Sequence, residues 1–289
     1  MSRNARTQSA SLTQGNTMHD HSYFISWNVN GIRAVAKKNA LEWIDREVPD
    51  LLALQEIKAE EDQIPDGLFS HPYRHRWVSS SHKRGQSGVA LSTDLDPHYY
   101  SNCFEVDVLR EGRINEIHWD NIAFFNVYFP NGKRNAERLS YKMEFYERFF
   151  AHIEGLRKQG KSIIFCGDVN TAHREIDLAR PGANTKISGF LPMERAWIDQ
   201  LTDAGYIDTF RYVHGDAPDR YSWWSMRTHA RERNVGWRID YFFVSEDLRE
   251  QIIDADILEP VTGSDHAPVT LKLKHAEKKS LSSTQEPTA

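Results

Sequence analysis

Apolar residues along the chain fall into short runs that are typical of buried strands. The runs are bounded by Gly, Pro, Asn, Asp or Ser, which predicts strands at "YFISWNV", "DLLALQE", "SGVALS", "SIIFCGDVN", "RIDYFFVS" and "APVTLKLK". Two further runs, "INEIHW" and "IAFFNVYF", are separated by Asp120 and Asn121, which predicts a β-hairpin. Much of the chain is therefore expected to form sheet.

Three segments have the spacing of amphipathic helices. "NALEWIDREV" carries Leu41, Ile44 and Val48 at helical intervals and stops at Pro49. "ERAWIDQLTDAG" predicts a second helix, and "LSYKMEFYERFFAHIEGLRKQG" predicts a long one that ends at Gly160. The apolar stripe predicted for the long helix consists of Leu139, Met143, Tyr146, Phe150, Ile153 and Leu156. Strand pairs with few helices predict an α/β fold in which two sheets pack together with helices outside.

The organisation of the 289 residues is that of one domain. No Gly/Ser-rich linker or internal repeat divides the chain, so a single catalytic domain is expected over residues 23–274. Residues 1–22 and 275–289 are polar, and we expect a disordered extension and a disordered tail. The longest apolar runs are far below the roughly 18 residues of a spanning helix, so no membrane association is expected.

Charge and cysteine content say more about the cellular compartment of the protein than about its function. The net charge of −5 does not suggest nucleic-acid binding, so any such function must come from a local basic surface. Cys103 and Cys166 are the two cysteines, and two free thiols suit a reducing compartment, with one disulfide as the weaker alternative. The expected location is the cytoplasm, with nucleoid association if the source is bacterial.

Polar residues gather where the predicted strands end. Each has an ordinary structural explanation by itself, because Asp and Asn form turns by bonding the local backbone. Together they make an oxygen-rich set with a single imidazole, which favours Mg²⁺ or Mn²⁺ over Zn²⁺ and supplies the parts needed to hydrolyse a phosphodiester. The residues are Asn28, Asn30, Glu56, Tyr128, Asp168, Asn170, Asp240, Asp265 and His266.

Ten motifs in a fixed order resemble one family of DNA repair enzymes. They are "WNVNGIRA", "LQEIKA", "SGVAL", "YFPNG", "CGDVNTAHREIDL", "GFLPMERAW", "DTFR", "YSWW", "NVGWRIDYFFVS" and "GSDHAP". In this order they resemble the exonuclease III family of apurinic/apyrimidinic (AP) endonucleases over residues 23–273. "GDxN" and "SDHxP" are shared with the wider DNase I-like superfamily of metal-dependent phosphodiesterases, whereas "LQEIK", "YFPNG" and "NVGWRIDYF" narrow the likeness to the repair branch.

The resemblance implies a four-layered α/β sandwich, two packed mixed sheets flanked by helices, with a Mg²⁺ cofactor that Mn²⁺ could replace. It also implies incision of double-stranded DNA on the 5′ side of abasic sites, together with 3′-phosphodiesterase and 3′ to 5′ exonuclease activity on 3′-blocked or recessed ends. A monomer is expected. The balance between these activities, and the use of one or two metal ions, are left open.

Roles for individual residues also follow from the resemblance. Glu56 would be the principal metal ligand, and Asp168 would orient and deprotonate the attacking water, with Asn170 holding it. His266 would bind the scissile phosphate, Asp240 would pair with the imidazole, and Tyr128 would stabilise developing charge. The full implied metal set is Asn28, Glu56, Asp168, Asn170, Asp265 and His266.

DNA contacts are likewise implied by position in the motifs. The matching polar residues are Arg33, Lys58, Arg134 and Asn184, and the residues matching the walls of an abasic pocket are Trp223 and Trp237. Taken alone, these charges would be read as solvated and the tryptophans as core packing. Two positions depart from some family members: Asn30 stands where these have Asp, and Ile187 stands where they repeat an Asn.

Two other functions remain open at this stage. The same core motifs would serve a phosphodiesterase or phosphatase that acts on a small molecule or a lipid headgroup. A DNA-binding protein that has lost catalysis is the third possibility, and retention of the acidic and imidazole residues argues against it.

Overall fold

The protein was analysed as a computed structural model that describes residues 20–64, 71–227 and 229–275. Residues 1–19 and 276–289 lie outside the described residues, and with them most of the predicted extension and tail. The first strand begins at His21 and pairs with the last strand through Lys274.

Fourteen strands are present in the described part of the chain. In chain order they are β1 (His21–Asn28), β2 (Leu51–Gln55), β3 (His75–Ser79), β4 (Val89–Thr93), β5 (Tyr99–Ser101), β6 (Ile114–Trp119), β7 (Ile122–Tyr128), β8 (Ser162–Asp168), β9 (Tyr206–Asp208), β10 (Trp223–Trp224), β11 (Gly236–Trp237), β12 (Asp240–Ser245), β13 (Ile252–Ile257) and β14 (Val269–Lys274). Sheet A has the order β13-β14-β1-β2-β4-β3, and sheet B has the order β5-β6-β7-β8-β12-β9. Both sheets are mixed, because β1 runs parallel to β2 and β7 runs parallel to β8.

Alternation of side chains along the strands explains the layering. In β1, Phe24 packs into the core between the sheets, whereas Ile25 and Trp27 pack on the outer face of sheet A. In β7, Phe124 faces the inter-sheet core and Phe125 faces the outer side of sheet B. Successive side chains of a strand point to opposite faces, so apolar residues at every position indicate sheets covered on both sides. The resulting helix–sheet–sheet–helix arrangement confirms the predicted four-layered sandwich.

The helices are α1 (Ile32–Lys37), α2 (Ile44–Glu47), α3 (Ala136–Lys158), α4 (Pro181–Asn184), α5 (Pro192–Asp203) and α6 (Thr209–His214). Short 3₁₀ turns span Glu61–Gln63, Glu175–Asp177 and Glu246–Gln251. None of the helices in the described ranges is long and apolar enough to cross a membrane.

The long helix α3 was predicted correctly, and its buried face was predicted in part. It starts after Asn135, whose side chain accepts a hydrogen bond from the backbone N of Arg138 at 2.9 Å. The side chains that α3 buries are Tyr141, Lys142, Phe145, Tyr146, Phe149 and Ile153. Tyr146 and Ile153 of the predicted stripe are fully buried, and Met143, Phe150 and Leu156 pack against the same core while only partly buried. Tyr141, Phe145 and Phe149 are also buried, and the predicted stripe did not include them.

The helix predicted over residues 39–48 is mostly absent. Only α2, four residues long, forms there, and residues 38–43 are turns. Val48 adopts a left-handed φ of 41° and is exposed. Pro49 explains this end, because a proline ring disfavours helical backbone at the preceding residue. Leu41 and Ile44 are buried, as their spacing predicts.

Candidate active site

The ends of strands from both sheets meet at one edge of the sandwich. Asn28 at the end of β1 pairs with Gln55 at the end of β2, directly before Glu56. In sheet B, Asp168 at the end of β8 lies between Tyr128 of β7 and Asp240 of β12. Because β12 runs antiparallel to β8, its first residue lies beside the last residue of β8. The register alone thus places three predicted site residues side by side.

The carboxylate of Asp168 is buried and well supplied with donors. The backbone N of Asn170 donates to Oδ1 at 2.8 Å, and Oδ2 accepts from Asn28 Nδ2 at 2.9 Å and Asn170 Nδ2 at 3.2 Å. Burial, opposed by the His266 charge and assisted by that of Asp240, raises the pKa of Asp168 to about 7. A carboxylate with such a pKa can accept a proton near neutral pH.

The backbone before Asp168 requires glycine. Gly167 has a φ of 131°, and a Cβ placed there would lie 1.9 Å from the carbonyl oxygen of Val127 on the neighbouring strand. This close approach lets β7 and β8 stay paired to their ends, which places Tyr128 beside Asp168.

His266 is held by a buried acidic partner. Its Nδ1 lies 2.9 Å from Asp240 Oδ2, which also accepts from Ser222 Oγ at 2.7 Å. Burial lowers the pKa of His266, but the charge and hydrogen bond of Asp240 outweigh this and raise it to about 10. The Nε2 atom lies 3.9 Å from Asp168 Oδ2. A protonated imidazole and a carboxylate therefore face the same small space.

A second group of oxygen donors lies between the ends of β1 and β2 and the loop before β14. Asn28 Nδ2 donates to Glu56 Oε2 at 3.2 Å, and Asn30 Nδ2 donates to Asp265 Oδ1 at 2.9 Å. The Lys58 ammonium bridges the two halves, at 3.0 Å from Glu56 Oε1 and 2.5 Å from Asn30 Oδ1.

These residues fit a hard divalent cation. Glu56, Asp265 and the amide oxygens supply only oxygen ligands, which is the preference of Mg²⁺ and Mn²⁺. The Lys58 ammonium contacts Glu56 and Asn30, and a metal ion bound by Glu56 would take the place of that contact. Ligand atoms of Asp168, Asp240 and His266 also lie within 4.8 Å of one another. In that group, Nδ1 of His266 is already hydrogen-bonded to Asp240 and is not free to bind a metal.

Tyr128 lines a basic cleft of about 920 Å³ that also contains Glu56, Lys58 and Arg134. The Arg113 guanidinium lies over the Tyr128 ring, 4.7 Å from its centroid. Burial and then the charge of Glu56 raise the pKa of Tyr128 well above its ordinary value, so the phenol remains a hydrogen-bond donor. Four further basic residues line the cleft, namely His82, Lys83, Arg110 and Arg138.

Trp223 and Trp237 face each other across the short β10-β11 pair, with ring centroids 6.3 Å apart and an interplanar angle of 81°. Both are half-buried, and they line a pocket of about 290 Å³ together with Asn184 and Ile187. The Trp223 indole N–H donates to Asp265 Oδ2 at 3.0 Å, which connects the pocket to the acidic site. The two rings therefore pack against a small buried apolar cluster and also line the pocket.

Two of the predicted DNA-contact residues donate hydrogen bonds to backbone oxygens of the protein. Arg33 donates to the backbone oxygen of Lys58 at 3.2 Å, and Asn184 donates to the backbone oxygen of Arg180 at 2.7 Å. Arg33 is exposed, and Asn184 borders the tryptophan pocket. The structure thus gathers the predicted catalytic and metal residues closely and places the DNA-contact residues around them.

Three residues of the site were not singled out from the sequence. Asn131 donates to Asn170 Oδ1 at 2.8 Å, and Ser222 fixes Asp240. Lys133 lies over both indoles, with its ammonium 4.9 Å from the Trp223 centroid and 5.3 Å from that of Trp237. Each belongs to or directly follows a quoted motif, so membership of "YFPNG" or "YSWW" was the available signal.

A buried ion pair supports the loop after Asp168. The Lys142 ammonium donates to Asn170 O at 2.8 Å, Thr171 Oγ1 at 2.8 Å and Glu194 Oε1 at 2.7 Å. Both charged side chains are fully buried. Glu194 Oε2 accepts in turn from the backbone N of Gly189 at 2.6 Å. This pair ties the loop that carries Asn170 to the start of α5.

Comparison with known proteins agrees with this geometry. Residues 25–266 match the model of the Endonuclease/Exonuclease/phosphatase family, so the chain belongs to that family. It is 43% identical over 251 residues to an exodeoxyribonuclease of Bacillus subtilis (strain 168), covering 86% of this chain and 97% of the relative. It is 40% identical over 253 residues to the DNA repair nuclease APEX1 of Danio rerio, covering 86% and 81%.

A solved structure supports the same assignment. An AP endonuclease from Archaeoglobus fulgidus matches with a TM-score of 0.78 and 26% identity, covering 86% of this chain and 98% of that one. The resemblance stated from the motifs is confirmed, and with it the prediction of an enzyme that hydrolyses phosphodiesters.

Proposed function

We propose that the protein is a DNA repair nuclease that hydrolyses the phosphodiester on the 5′ side of abasic sites in duplex DNA, with Mg²⁺ as cofactor. The observation that carries the proposal is the convergence of a proton-accepting carboxylate, a protonated imidazole and a hard cation site at one edge of the sandwich. The named relatives are exodeoxyribonucleases and AP endonucleases, which favours this function over a small-molecule or lipid phosphodiesterase.

In this mechanism Asp168 takes a proton from the attacking water. Asn170, fixed by Asn131, orients that water. The raised pKa of Asp168 suits it as a base near neutral pH. The new P–O bond forms as the bond from phosphorus to the 3′ oxygen of the upstream nucleotide breaks. This leaves a 3′ hydroxyl on the upstream nucleotide and a 5′ phosphate on the abasic residue.

The second task of the site is to stabilise the negative charge that develops on the phosphate. His266, held protonated by Asp240, donates through Nε2 to a non-bridging phosphate oxygen. The neutral Tyr128 phenol donates towards the departing oxygen. Asn28, Glu56 and Asp265 would hold the divalent ion, which supplies Lewis-acid stabilisation of the phosphate when bound.

DNA would bind to a local basic surface and not to the protein surface as a whole, because the net charge of the chain is −5. Lys58, Arg134 and the other basic residues of the 920 Å³ cleft would contact phosphates beside the scissile bond. The Trp223–Trp237 pocket would accept a sugar without a base, and Arg33 and Asn184 would contact the flanking backbone. Lys133 occupies the mouth of that pocket and would have to move when the sugar enters.

The proposal includes 3′-phosphodiesterase and 3′ to 5′ exonuclease action on the same site, since each reaction breaks a phosphodiester next to a 3′ oxygen. A monomeric state and a cytoplasmic, nucleoid-associated location remain predictions. Relative rates on an abasic duplex and on a recessed 3′ end would rank the activities.

The test is incision of a labelled duplex that carries one tetrahydrofuran abasic analogue. With Mg²⁺ the protein should make its internal cut 5′ to the analogue, EDTA should stop the reaction, and an undamaged duplex should receive no internal cut in the same time. Asp168→Asn should lower the rate by about 10²- to 10⁴-fold, the usual contribution of a general base. Asp254→Asn, which removes the charge of a partly exposed carboxylate on β13 beside Lys272, is the matched control. Hydrolysis of a lipid or inositol phosphodiester with DNA untouched would contradict the proposal.

A further inference from the structure

A cluster of ligand-type side chains lies on the outer face of sheet B, away from the site described above. It combines Cys103, from the turn after β5, with Glu116 of β6, His152 of α3 and Glu105. One ligand atom from each of the four lies within 4.8 Å of those of the other three. The proposed nuclease mechanism uses none of these residues.

The three inner members point their ligand atoms at one another. Cys103 Sγ lies 2.6 Å from Glu116 Oε2, and His152 Nε2 lies 3.1 Å from the same oxygen. The thiol and the imidazole nitrogen are 3.8 Å apart. Cys103 and Glu116 are almost completely buried, and Glu105 is 59% exposed, so the cluster is open to solvent on its Glu105 side.

The cluster is held in place from outside. His118 Nε2 lies 2.7 Å from Glu116 Oε1, which leaves Oε2 directed at Cys103 and His152. The backbone N of Cys103 donates to Ser101 Oγ at 2.9 Å, which fixes the turn that carries the thiol. A carboxylate with one oxygen held by an outer imidazole and the other free for a cation is the pattern of supported metal ligands.

We propose that Cys103, Glu116 and His152, with Glu105 or water in the fourth position, form a structural site for a borderline-soft divalent cation such as Zn²⁺. The donor set of one thiolate, one imidazole and one or two carboxylates matches tetrahedral zinc. Ligands at about 2.0 to 2.3 Å from a tetrahedral ion are about 3.3 to 3.7 Å apart, so the Cys103–Glu116 contact would widen by about 1 Å.

Charge balance supports a dication at this position. The Cys103 thiol donates a hydrogen bond to Glu116 Oε2, so it carries a proton in that contact. Binding of Zn²⁺ would release that proton to solvent and form the Zn–S bond without any redox change. The thiolate and the Glu116 carboxylate then carry two negative charges against the two positive charges of the ion.

The ion would join β6 to α3 through a turn that links β5 and β6. It would therefore stabilise the helix layer on sheet B, independently of the hard cation site near Glu56. The two sites differ in chemistry, because the Glu56 site contains only oxygen donors. Thiolate-specific measurements thus report on the new site alone.

The experiment loads the full chain, stripped with a chelator, with Co²⁺ as a spectroscopic substitute for Zn²⁺. The wild type should show thiolate-to-cobalt charge-transfer absorption with one equivalent of ion, and excess Zn²⁺ should remove it whereas Mg²⁺ should not. Cys103→Ser should abolish the band. Cys166→Ser, which changes the other buried cysteine, should leave it intact.

Two further variants cover the case in which Cys103→Ser fails to fold. His152→Gln, on the partly exposed side of α3, should weaken binding and shift the band. His118→Gln, which removes only the outer hydrogen bond, should weaken binding by about 10- to 100-fold with the band retained. No band in the wild type, or a band lost in Cys166→Ser and kept in Cys103→Ser, would overturn the proposal. Incision of abasic DNA is measured separately, so failure of either proposal is distinguishable.

Discussion

Replacement of Lys142 by methionine should strongly destabilise the fold, because it leaves a buried carboxylate without its counter-charge. Lys142 and Glu194 are both fully buried and joined at 2.7 Å. Removal of one partner of a buried ion pair costs about 3–5 kcal/mol. We expect the lower part of that range, since Glu194 still accepts from Ser188 and from the backbone N of Gly189 and Leu191.

The measurement is thermal unfolding of the variant and of a double-mutant cycle. For a domain of this size, about 2–4 °C of melting temperature corresponds to 1 kcal/mol, so 3–5 kcal/mol predicts a fall of about 6 to 20 °C. Lys142→Met combined with Glu194→Gln should be less destabilised than the sum of the single variants, by about 1–3 kcal/mol. Lys158→Met, at an exposed position of the same helix, should change stability by less than about 0.5 kcal/mol.

Two results would refute this reasoning. The first is a loss below about 1 kcal/mol for Lys142→Met, which would mean that the pair contributes no more than a surface pair. The second is strict additivity in the cycle, which would mean that the two side chains do not depend on each other.

Three further predictions follow from the geometry. Gly167→Ala should unfold the protein or cost more than about 3 kcal/mol of stability, because the new Cβ would meet a carbonyl oxygen at 1.9 Å. The control Gly155→Ala, with open space around the residue in α3, should be neutral or slightly stabilising in the same thermal unfolding experiment. Incision should slow on acidification as Asp168, with its pKa raised to about 7, gains a proton, and should slow again in alkali as His266, with its pKa raised to about 10, loses one. A flat rate from pH 5 to pH 8 would contradict the assignment of Asp168, and a rate that stays flat through about pH 10 would contradict that of His266. Burial opposes ionisation of Asp177, but two arginine partners hold its pKa below the ordinary range. The ionised carboxylate therefore stabilises the fold above the ordinary pKa of about 4, and this contribution disappears as pH falls through the lower pKa of the folded state. Asp177→Asn should accordingly flatten the acid side of the stability curve, and an unchanged curve would count against that ion cluster.

The strands and their polar ends could be predicted from the sequence because both signals are local. Alternation and apolar runs mark strands, and the oxygen-bearing residues follow each run directly. Asp168, Asp240 and His266 were expected in one site, and strand register brings them together. Their individual roles stay predictions until variants are assayed.

The supporting residues could not be predicted because their function depends on distant partners. Lys142 lies within a helix and reads as a solvated lysine, yet its partner Glu194 is 52 residues away. Ser222 fixes Asp240 across a separation of 18 residues. The face of α3 was predicted only in part for a similar reason, since contact with sheet B and not helical spacing alone selects the fully buried residues.

Site-specific incision of the tetrahydrofuran duplex tests the central claim most directly. Wild-type protein with Mg²⁺ should make one initial product, cut 5′ to the analogue and ending in a 3′ hydroxyl, and Asp168→Asn should lower that rate by about 10²- to 10⁴-fold while still binding the duplex. An uncut duplex with folded wild-type protein, or an Asp168→Asn variant as fast as wild type, would contradict the account.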